Sequence, residues 1–132
     1  MAALHARFGI AVLLDCHSMP SRPAPAPAVV LGDRHGTSCA GWLTRTVEAT
    51  CGADGVGVAR NEPYAGGEIV RRHGHPAADI HALQIEIDRG MYLAPNARDA
   101  GVGFARTARL LERIVVDAAD AALGRPMALA AE

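Results

Sequence analysis

His17 is the residue whose setting most clearly suggests metal chemistry. It follows the apolar run of residues 9–14 and stands at the predicted end of a strand. An imidazole there can bind a metal ion, and Asp15, two residues earlier on the same side of a strand, can orient the ring. Taken alone, a hydrogen bond from His17 to a loop explains the pattern at least as well, because isolated histidines are mostly structural.

Glu86 is the candidate for proton transfer. It lies in the alternating segment 81–88, the clearest predicted strand in the chain. In a sheet covered on both faces, a glutamate in mid-strand faces either a partner or a cleft. Near a metal-bound water, it can take a proton and pass it to a leaving amine. If the segment is instead an edge strand, its polar side chains simply face water, and alternation alone favours that interpretation.

Two further groups of polar and small residues could bind a small ligand. The first precedes a predicted helix, whose N-terminus could bind an anion while Arg34 holds a carboxylate. An N-cap with a surface salt bridge explains that group equally well. The second contains glycines that allow close backbone approach to a ligand, although they are also typical of a flexible turn. The two groups comprise Asp33, Arg34, Thr37, Ser38, Tyr64, Gly66 and Gly67.

The other histidines and the cysteines give weaker signals. His73 and His75, with His81 nearby, could form a metal cluster, but the residues around them favour a solvated loop. Cys16 is adjacent to His17, yet neighbouring residues on a strand point to opposite faces, so a nucleophile and base are not expected there. Three cysteines without a CxxC pair favour neither a disulfide framework nor a zinc ribbon.

Short strands that alternate with helices must position these residues. The predicted strands cover residues 9–14, 29–31, 56–58 and 81–88, and the predicted helices cover residues 2–8, 39–51, 67–73 and 100–123. Thr37 or Ser38 is expected to cap the helix that follows. The alternation predicts an open α/β sheet, in which reactive groups gather beyond the carboxyl ends of the strands. His17, Asp33 and Glu62 are therefore expected to lie at one edge.

Composition and charge limit the classes of protein. The chain has 132 residues, of which 50% are hydrophobic and 20% charged, as in one globular domain. We expect that domain at residues 1–124 and a tail at 125–132. The formal charge of -1 and the absence of a basic run argue against binding to nucleic acid or an anionic membrane surface. Because no run of apolar residues is long enough to span a bilayer, a cytoplasmic protein is expected.

Four segments, taken in this order, resemble the N-formylglutamate amidohydrolase family. They are residues 14–20 (LDCHSMP), 31–39 (LGDRHGTSC), 61–67 (NEPYAGG) and 81–87 (HALQIEI). The resemblance extends over about residues 3–120. It implies a zinc-carboxypeptidase-like fold with an open mixed sheet flanked by helices. It also implies hydrolysis of N-formyl-L-glutamate, or a similar N-acyl amino acid, to formate and L-glutamate in histidine degradation.

The same resemblance implies roles for particular residues. His17 corresponds to a ligand of the single zinc ion, and Glu86 corresponds to the glutamate that activates the zinc-bound water. The cluster of residues 33–38 and the segment 64–67 correspond to parts of the substrate pocket. Asp15 would support His17 from behind the metal ligands.

The sequence departs from the family in what it lacks. Family chains are about twice as long, and their first half supplies a Pro-His-Ser-Gly segment, an acidic zinc ligand and an Asn-Arg pair, none of which occurs here. A catalytic zinc needs about three protein ligands. The N-terminal part is therefore expected to be missing, which leaves three hypotheses. The chain could be a zinc amidohydrolase, either as a fragment of an active enzyme or as one half completed by another chain. It could also be an inactive remnant that serves at most as a folding or homo-oligomerisation module, or a self-contained enzyme that recruits His73 or His75.

Overall fold

An open four-stranded mixed sheet forms the centre of the protein in a computed structural model that describes residues 1–124. The predicted tail at 125–132 lies outside the described residues. The strands are β1 (Ala11–Met19), β2 (Val29–Gly32), β3 (Val58–Arg60) and β4 (Ile80–Asp88). The helices are α1 (Ala2–Phe8), α2 (Gly41–Ala53), α3 (Glu68–His73) and α4 (Phe104–Leu123), with short 3-10 turns at Pro76–Ala78 and Arg89–Met91. The predicted open mixed sheet flanked by helices is confirmed.

The strand order β1-β4-β2-β3 places β4 inside the sheet. β4 pairs in parallel with β1 and antiparallel with β2, and β2 pairs in parallel with β3. Residues 81–87 are all buried, because helices or loops cover both faces of this central strand. The interpretation of β4 as an edge strand whose polar side chains face water is therefore wrong.

The two faces of the sheet have different coverings. On one face, α2 and α4 pack together over the apolar residues of the sheet. This core comprises Val29, Leu31, Cys39, Leu43, Val47, Cys51, Leu83, Ile85, Ile87, Leu110, Ile114 and Ala118. On the other face, α3 packs against β4 and β1. Within residues 1–124, no helix is both long enough and apolar enough to cross a membrane.

Two boundaries differ from prediction in ways that affect function. β1 does not end at residue 14 but continues to Met19, because β4 offers pairing partners along its whole length. His17 consequently lies inside a strand and not after it. Helix α2 begins at Gly41 with Ala40 as its N-cap and no side-chain cap, so neither Thr37 nor Ser38 caps it.

Candidate active site

Four polar side chains lie together on the face of the sheet that α3 partly covers. In the parallel register of β1 and β4, Asp15 is opposite Gln84 and His17 is opposite Glu86. Residues that pair directly across two strands point to the same face, and positions two apart on a strand share that face. Asp15, His17, Gln84 and Glu86 therefore form one group, called the polar strip below.

His17 is the residue of the polar strip that solvent reaches most easily. Its side chain is 47% exposed, whereas that of Asp15 is 14% exposed. The His17 Nε2 atom lies 3.0 Å from Asp15 Oδ1. A carboxylate bonded to one ring nitrogen fixes the orientation of the imidazole and leaves the other nitrogen as the one that could bind a metal ion.

Glu86 is a buried residue of the polar strip, with 7% of its surface exposed. It stands between His17 on β1 and Val30 on β2. Its Oε1 atom accepts a hydrogen bond of 2.8 Å from Gln84 Nε2, and Gln84 Oε1 accepts one of 2.7 Å from the backbone N–H of Gly67. The carboxylate is thus held by a hydrogen bond next to the histidine, as a proton-transferring group requires.

The segment of residues 64–67, called the 64–67 loop, lies over the polar strip. A side chain on Gly32 would leave no room for it, since a Cβ atom there would be only 2.5 Å from Gly66 N. Gly66 itself has a φ of 111°, a conformation that glycine adopts without strain. Arg34 Nη1 donates a 3.1 Å hydrogen bond to Gly66 O, and Tyr64 is 37% exposed. Arg34, Gly66 and Gly67 are therefore close to the strip.

The expectation that Asp33 and Glu62 share one sheet edge with the end of β1 is wrong. β2 and β3 run antiparallel to β1 and β4, so their carboxyl ends lie at the opposite edge. Asp33 is buried, and its Oδ1 atom accepts hydrogen bonds from Asn61 Nδ2 and from Gly36 N. The local role of Asp33 is therefore to hold the turn that follows β2.

Thr37 and Ser38 also belong to that turn. Thr37 Oγ1 donates to Arg34 O, and Ser38 is only 1% exposed. The backbone of Ser38 packs so closely on Gly74 that a Cβ atom at Gly74 would lie 2.2 Å from Ser38 O. Within residues 1–124, the side chains of Thr37 and Ser38 make no hydrogen bond to the polar strip, whereas Arg34 of the same cluster bonds to the 64–67 loop that lies over it.

The remaining metal and nucleophile candidates do not join His17. Among the residues that the structure describes, no group of three or more His, Cys, Asp or Glu side chains could hold a metal ion. His73 and His75 are exposed, and the His81 ring packs edge-on against Trp42 in the core, with centroids 5.2 Å apart. Burial and the charge of Asp15 raise the pKa of the Cys16 thiol, which is opposite to the change that activates a nucleophilic cysteine.

Comparison with known proteins identifies the family. A family model described as N-formylglutamate amidohydrolase matches residues 1–93. The chain belongs to the N-formylglutamate amidohydrolase family. The resemblance predicted from the four sequence segments is thereby confirmed, and the family's activity is that of a hydrolase.

Individual members of the N-formylglutamate amidohydrolase family agree with this assignment. The N-formylglutamate deformylase of Pseudomonas aeruginosa is 35% identical over 103 residues, which cover 74% of this chain and 39% of that protein. The Pseudomonas putida enzyme is 34% identical over 96 residues, covering 68% of this chain and 36% of that protein. The chain thus spans about two fifths of the length of the curated relatives it matches.

Two solved structures share the fold. The N-formylglutamate amidohydrolase from Ralstonia eutropha JMP134 superimposes with a TM-score of 0.79 at 36% identity, over 91% of this chain and 45% of that chain. A bacteriophage poly-gamma-glutamate hydrolase gives a TM-score of 0.50 at 12% identity, over 80% of this chain and 52% of that one. The second likeness concerns the fold alone.

Asp88, at the end of β4 in this amidohydrolase-family chain, gives a prediction about pH. Burial alone would raise the pKa of its carboxyl, but hydrogen bonds from Ser21 Oγ, Gly90 N–H and Arg22 N–H lower that pKa below its ordinary value of 3.8. A carboxyl whose pKa is lower in the folded state stabilises the fold above its unfolded pKa, and this stabilisation is lost as the pH falls through the folded pKa.

The substitution Asp88→Asn removes that titration. In denaturant unfolding, the unchanged chain should lose more of its free energy of unfolding than the variant does between about pH 6 and about pH 3. The variant should be less stable than the unchanged chain at about pH 6, since an amide is a weaker acceptor for these three donors than a carboxylate. Equal losses in the two proteins would contradict a lowered pKa at Asp88.

Gln84 is the residue of the polar strip that the sequence did not single out. It was predicted only to share a strand face with Glu86, and nothing in its local sequence indicates the bond from Gly67. The signal that could have found it is the central position of β4, because a buried glutamine needs partners for both ends of its amide.

Proposed function

We propose that this chain supplies the His17 and Glu86 part of a zinc-dependent amidohydrolase. The substrate would be N-formyl-L-glutamate, cleaved to formate and L-glutamate as a step of histidine degradation, or a similar N-acyl amino acid. The observation that carries the proposal is the register of β1 and β4, which sets His17 beside Glu86 on one face in a member of this family. We further propose that residues 1–124 form one zinc-carboxypeptidase-like domain. The active site within these residues would be incomplete.

The chemistry of His17 fits zinc, whereas the number of ligands does not suffice. Its imidazole, oriented by Asp15, is an ordinary zinc donor, but a catalytic zinc needs about three protein ligands. The other ligands would therefore come from outside the described residues. When bound, the ion would supply a Lewis acid that polarises the amide carbonyl and makes water more acidic.

Glu86 would move the proton. Its carboxylate takes a proton from the attacking water and delivers it to the nitrogen of the leaving amine, so that the amide C–N bond breaks and no net proton is gained or lost. Burial beside His17 excludes bulk water from this transfer. The hydrogen bond from Gln84 fixes the orientation of the carboxylate on the face that it shares with His17.

Arg34 and the 64–67 loop would bind the substrate. Arg34 Nη1 donates a hydrogen bond to Gly66 O, and the guanidinium has further donors that can hold a carboxylate. Gly66 and Gly67 allow the backbone to approach a small ligand, and the same loop carries the exposed ring of Tyr64. Asp33, Thr37 and Ser38 would act indirectly, because they shape the turn that carries Arg34.

The outer edge of β1 is where the rest of such a domain would join. β1 is the outermost strand on its side of the sheet within residues 1–124, so a strand from elsewhere could pair along its nine residues. A cavity of about 370 Å³ lies beside this edge, between the end of β1 and α4, and is lined partly by Ser18, Ile87 and Phe104. A complementing N-terminal half of the family domain, or a second copy of the chain, would cover both features.

The alternative is an inactive remnant that serves as a folding or oligomerisation module. It is motivated by the lack of a full set of zinc ligands among the described residues, and by the large apolar side chains that are at least two fifths exposed. These are Leu4, Phe8, Ile69, Val102, Phe104, Val115, Val116 and Leu123. Such surface marks sites of association between proteins whether or not the assembled protein is catalytic.

Zinc content and hydrolysis distinguish the two functions. The 132-residue chain is purified, alone and together with the part of the Pseudomonas aeruginosa deformylase that it does not match, and assayed with N-formyl-L-glutamate. The enzyme proposal predicts that the mixture binds about one zinc per complex and releases formate. Zinc binding and turnover by the chain alone would exclude the remnant. A mixture that forms a complex yet neither binds zinc nor turns over would favour the remnant.

A further inference from the structure

Resting on the proposed function of Glu86, we infer that Gln84 is a positioning residue for the reaction. Gln84 connects the backbone of the 64–67 loop to the Glu86 carboxylate through two successive hydrogen bonds. It would therefore set the orientation of the proton-transferring group according to the position of the loop that binds substrate.

The first bond fixes which end of the Gln84 amide faces Glu86. Gly67 N–H is a donor, so the atom 2.7 Å from it must be the acceptor Oε1. The donor Nε2 then points to Glu86 Oε1 at 2.8 Å. A flipped amide would set donor against donor at Gly67 and acceptor against acceptor at Glu86. The chain of bonds consequently permits one orientation only.

The two hydrogen bonds of Gln84 matter because the residues that they join are buried. Gln84 and Glu86 are each 7% exposed, so water can hardly replace a lost partner. The hydrogen bond from Gln84 Nε2 therefore holds the Glu86 carboxylate in one orientation with one oxygen engaged. With Oε1 engaged by Gln84, Oε2 is the oxygen that receives the proton.

The contact between Gly67 and Gln84 also couples the base to the loop. A Cβ atom at Gly67 would lie 3.3 Å from Gln84 Oε1, which is already tight packing. Gly32 on β2 pairs with Gln84 and has no side chain, and the backbone of the 64–67 loop occupies the space that a side chain would fill. A loop displaced by a poor substrate would withdraw the Gly67 donor and loosen the Glu86 carboxylate.

Two substitutions test the inference in the active preparation. Gln84→Met keeps the length of the side chain and removes both hydrogen bonds, so kcat should fall about 10- to 100-fold. KM should change little, because the substrate contacts remain. Gln84→Glu keeps an acceptor for the Gly67 N–H but removes the donor to Glu86, so kcat should fall here as well. The control Thr50→Val, which removes the part-buried hydrogen bond from Thr50 on α2 to Asp117 on α4, should leave both parameters unchanged.

A measurement on the unaltered 132-residue chain needs no catalysis. The Gly67 backbone amide should be protected from hydrogen exchange by its bond to Gln84 Oε1, and Gln84→Met should remove that protection. A Gly67 amide that exchanges freely in the unaltered chain would overturn the inference even if Gln84→Met fails to fold.

The failure of the inference and the failure of the proposed function are distinguishable. If Glu86→Gln leaves hydrolysis unchanged, the proposed function fails and Gln84 has no base to position. If Glu86→Gln abolishes hydrolysis while Gln84→Met retains the kcat of the unaltered protein, only the positioning role of Gln84 is overturned.

Discussion

Replacement of Glu86 by glutamine is expected to reduce the hydrolysis of N-formyl-L-glutamate about 100-fold or more. The substitution preserves shape and the ability to hydrogen-bond but removes the group that accepts a proton, and general acid-base catalysis contributes about 100- to 10,000-fold. The zinc content of the complex should not change, because His17 is untouched. Formate release measured at saturating substrate, with zinc determined in the same samples, checks both statements.

His17→Ala should differ from Glu86→Gln in its effect on the zinc content of the complex. Zinc content should fall with activity, since the described residues offer one histidine at this position of the strip. Glu112→Gln, an exposed position on α4, and the double variant His73→Ala, His75→Ala serve as controls that should retain zinc and turnover. If the double variant lost zinc and His17→Ala kept it, the metal assignment would move to the loop histidines.

The alternation of β4 could be predicted from sequence because a strand repeats every two residues. Leu83, Ile85 and Ile87 were expected on one face and Gln84 and Glu86 on the other, and the register bears this out. Local pattern cannot tell whether such a strand is central or at an edge. That depends on β1 and β2 pairing with β4 from distant parts of the chain, and this pairing is what buries Glu86.

The direction of β2 was the main feature that the sequence could not provide. An apolar run such as residues 29–31 has the same composition whether it runs parallel or antiparallel to its neighbour. Because β2 is antiparallel to β4, Asp33 lies at the opposite edge of the sheet from the end of β1. In the sequence, His17 and Asp33 look alike, since each follows a predicted apolar strand. Hydrogen-bond partners such as Asn61 then explain the polar character of Asp33 without a ligand.

Gly32→Ala should destabilise the fold and disturb the polar strip at the same time. The added Cβ atom would stand 2.5 Å from Gly66 N and 2.8 Å from Ala65 C, and both atoms belong to backbone that cannot rotate away. The 64–67 loop must therefore move outward. Overpacking of this kind costs about 1–3 kcal/mol of the free energy of unfolding. Denaturant unfolding measures this loss, and the exchange rate of the Gly67 amide reports the bond to Gln84.

Gly52→Ala is the matched control, because a Cβ atom there would have no heavy atom within 4 Å. Gly52 lies within α2, where alanine is favoured over glycine by roughly 0.5–1 kcal/mol, so this variant should be as stable as the unaltered chain or more so. If Gly32→Ala were equally well tolerated and kept the Gly67 amide protected, the loop would not depend on Gly32 for its position. If only Gly32→Ala lost stability and Gly67 amide protection, the absence of a side chain at Gly32 would be what allows the 64–67 loop to reach Gln84. The loop would then also influence Glu86, because Gln84 bonds to it.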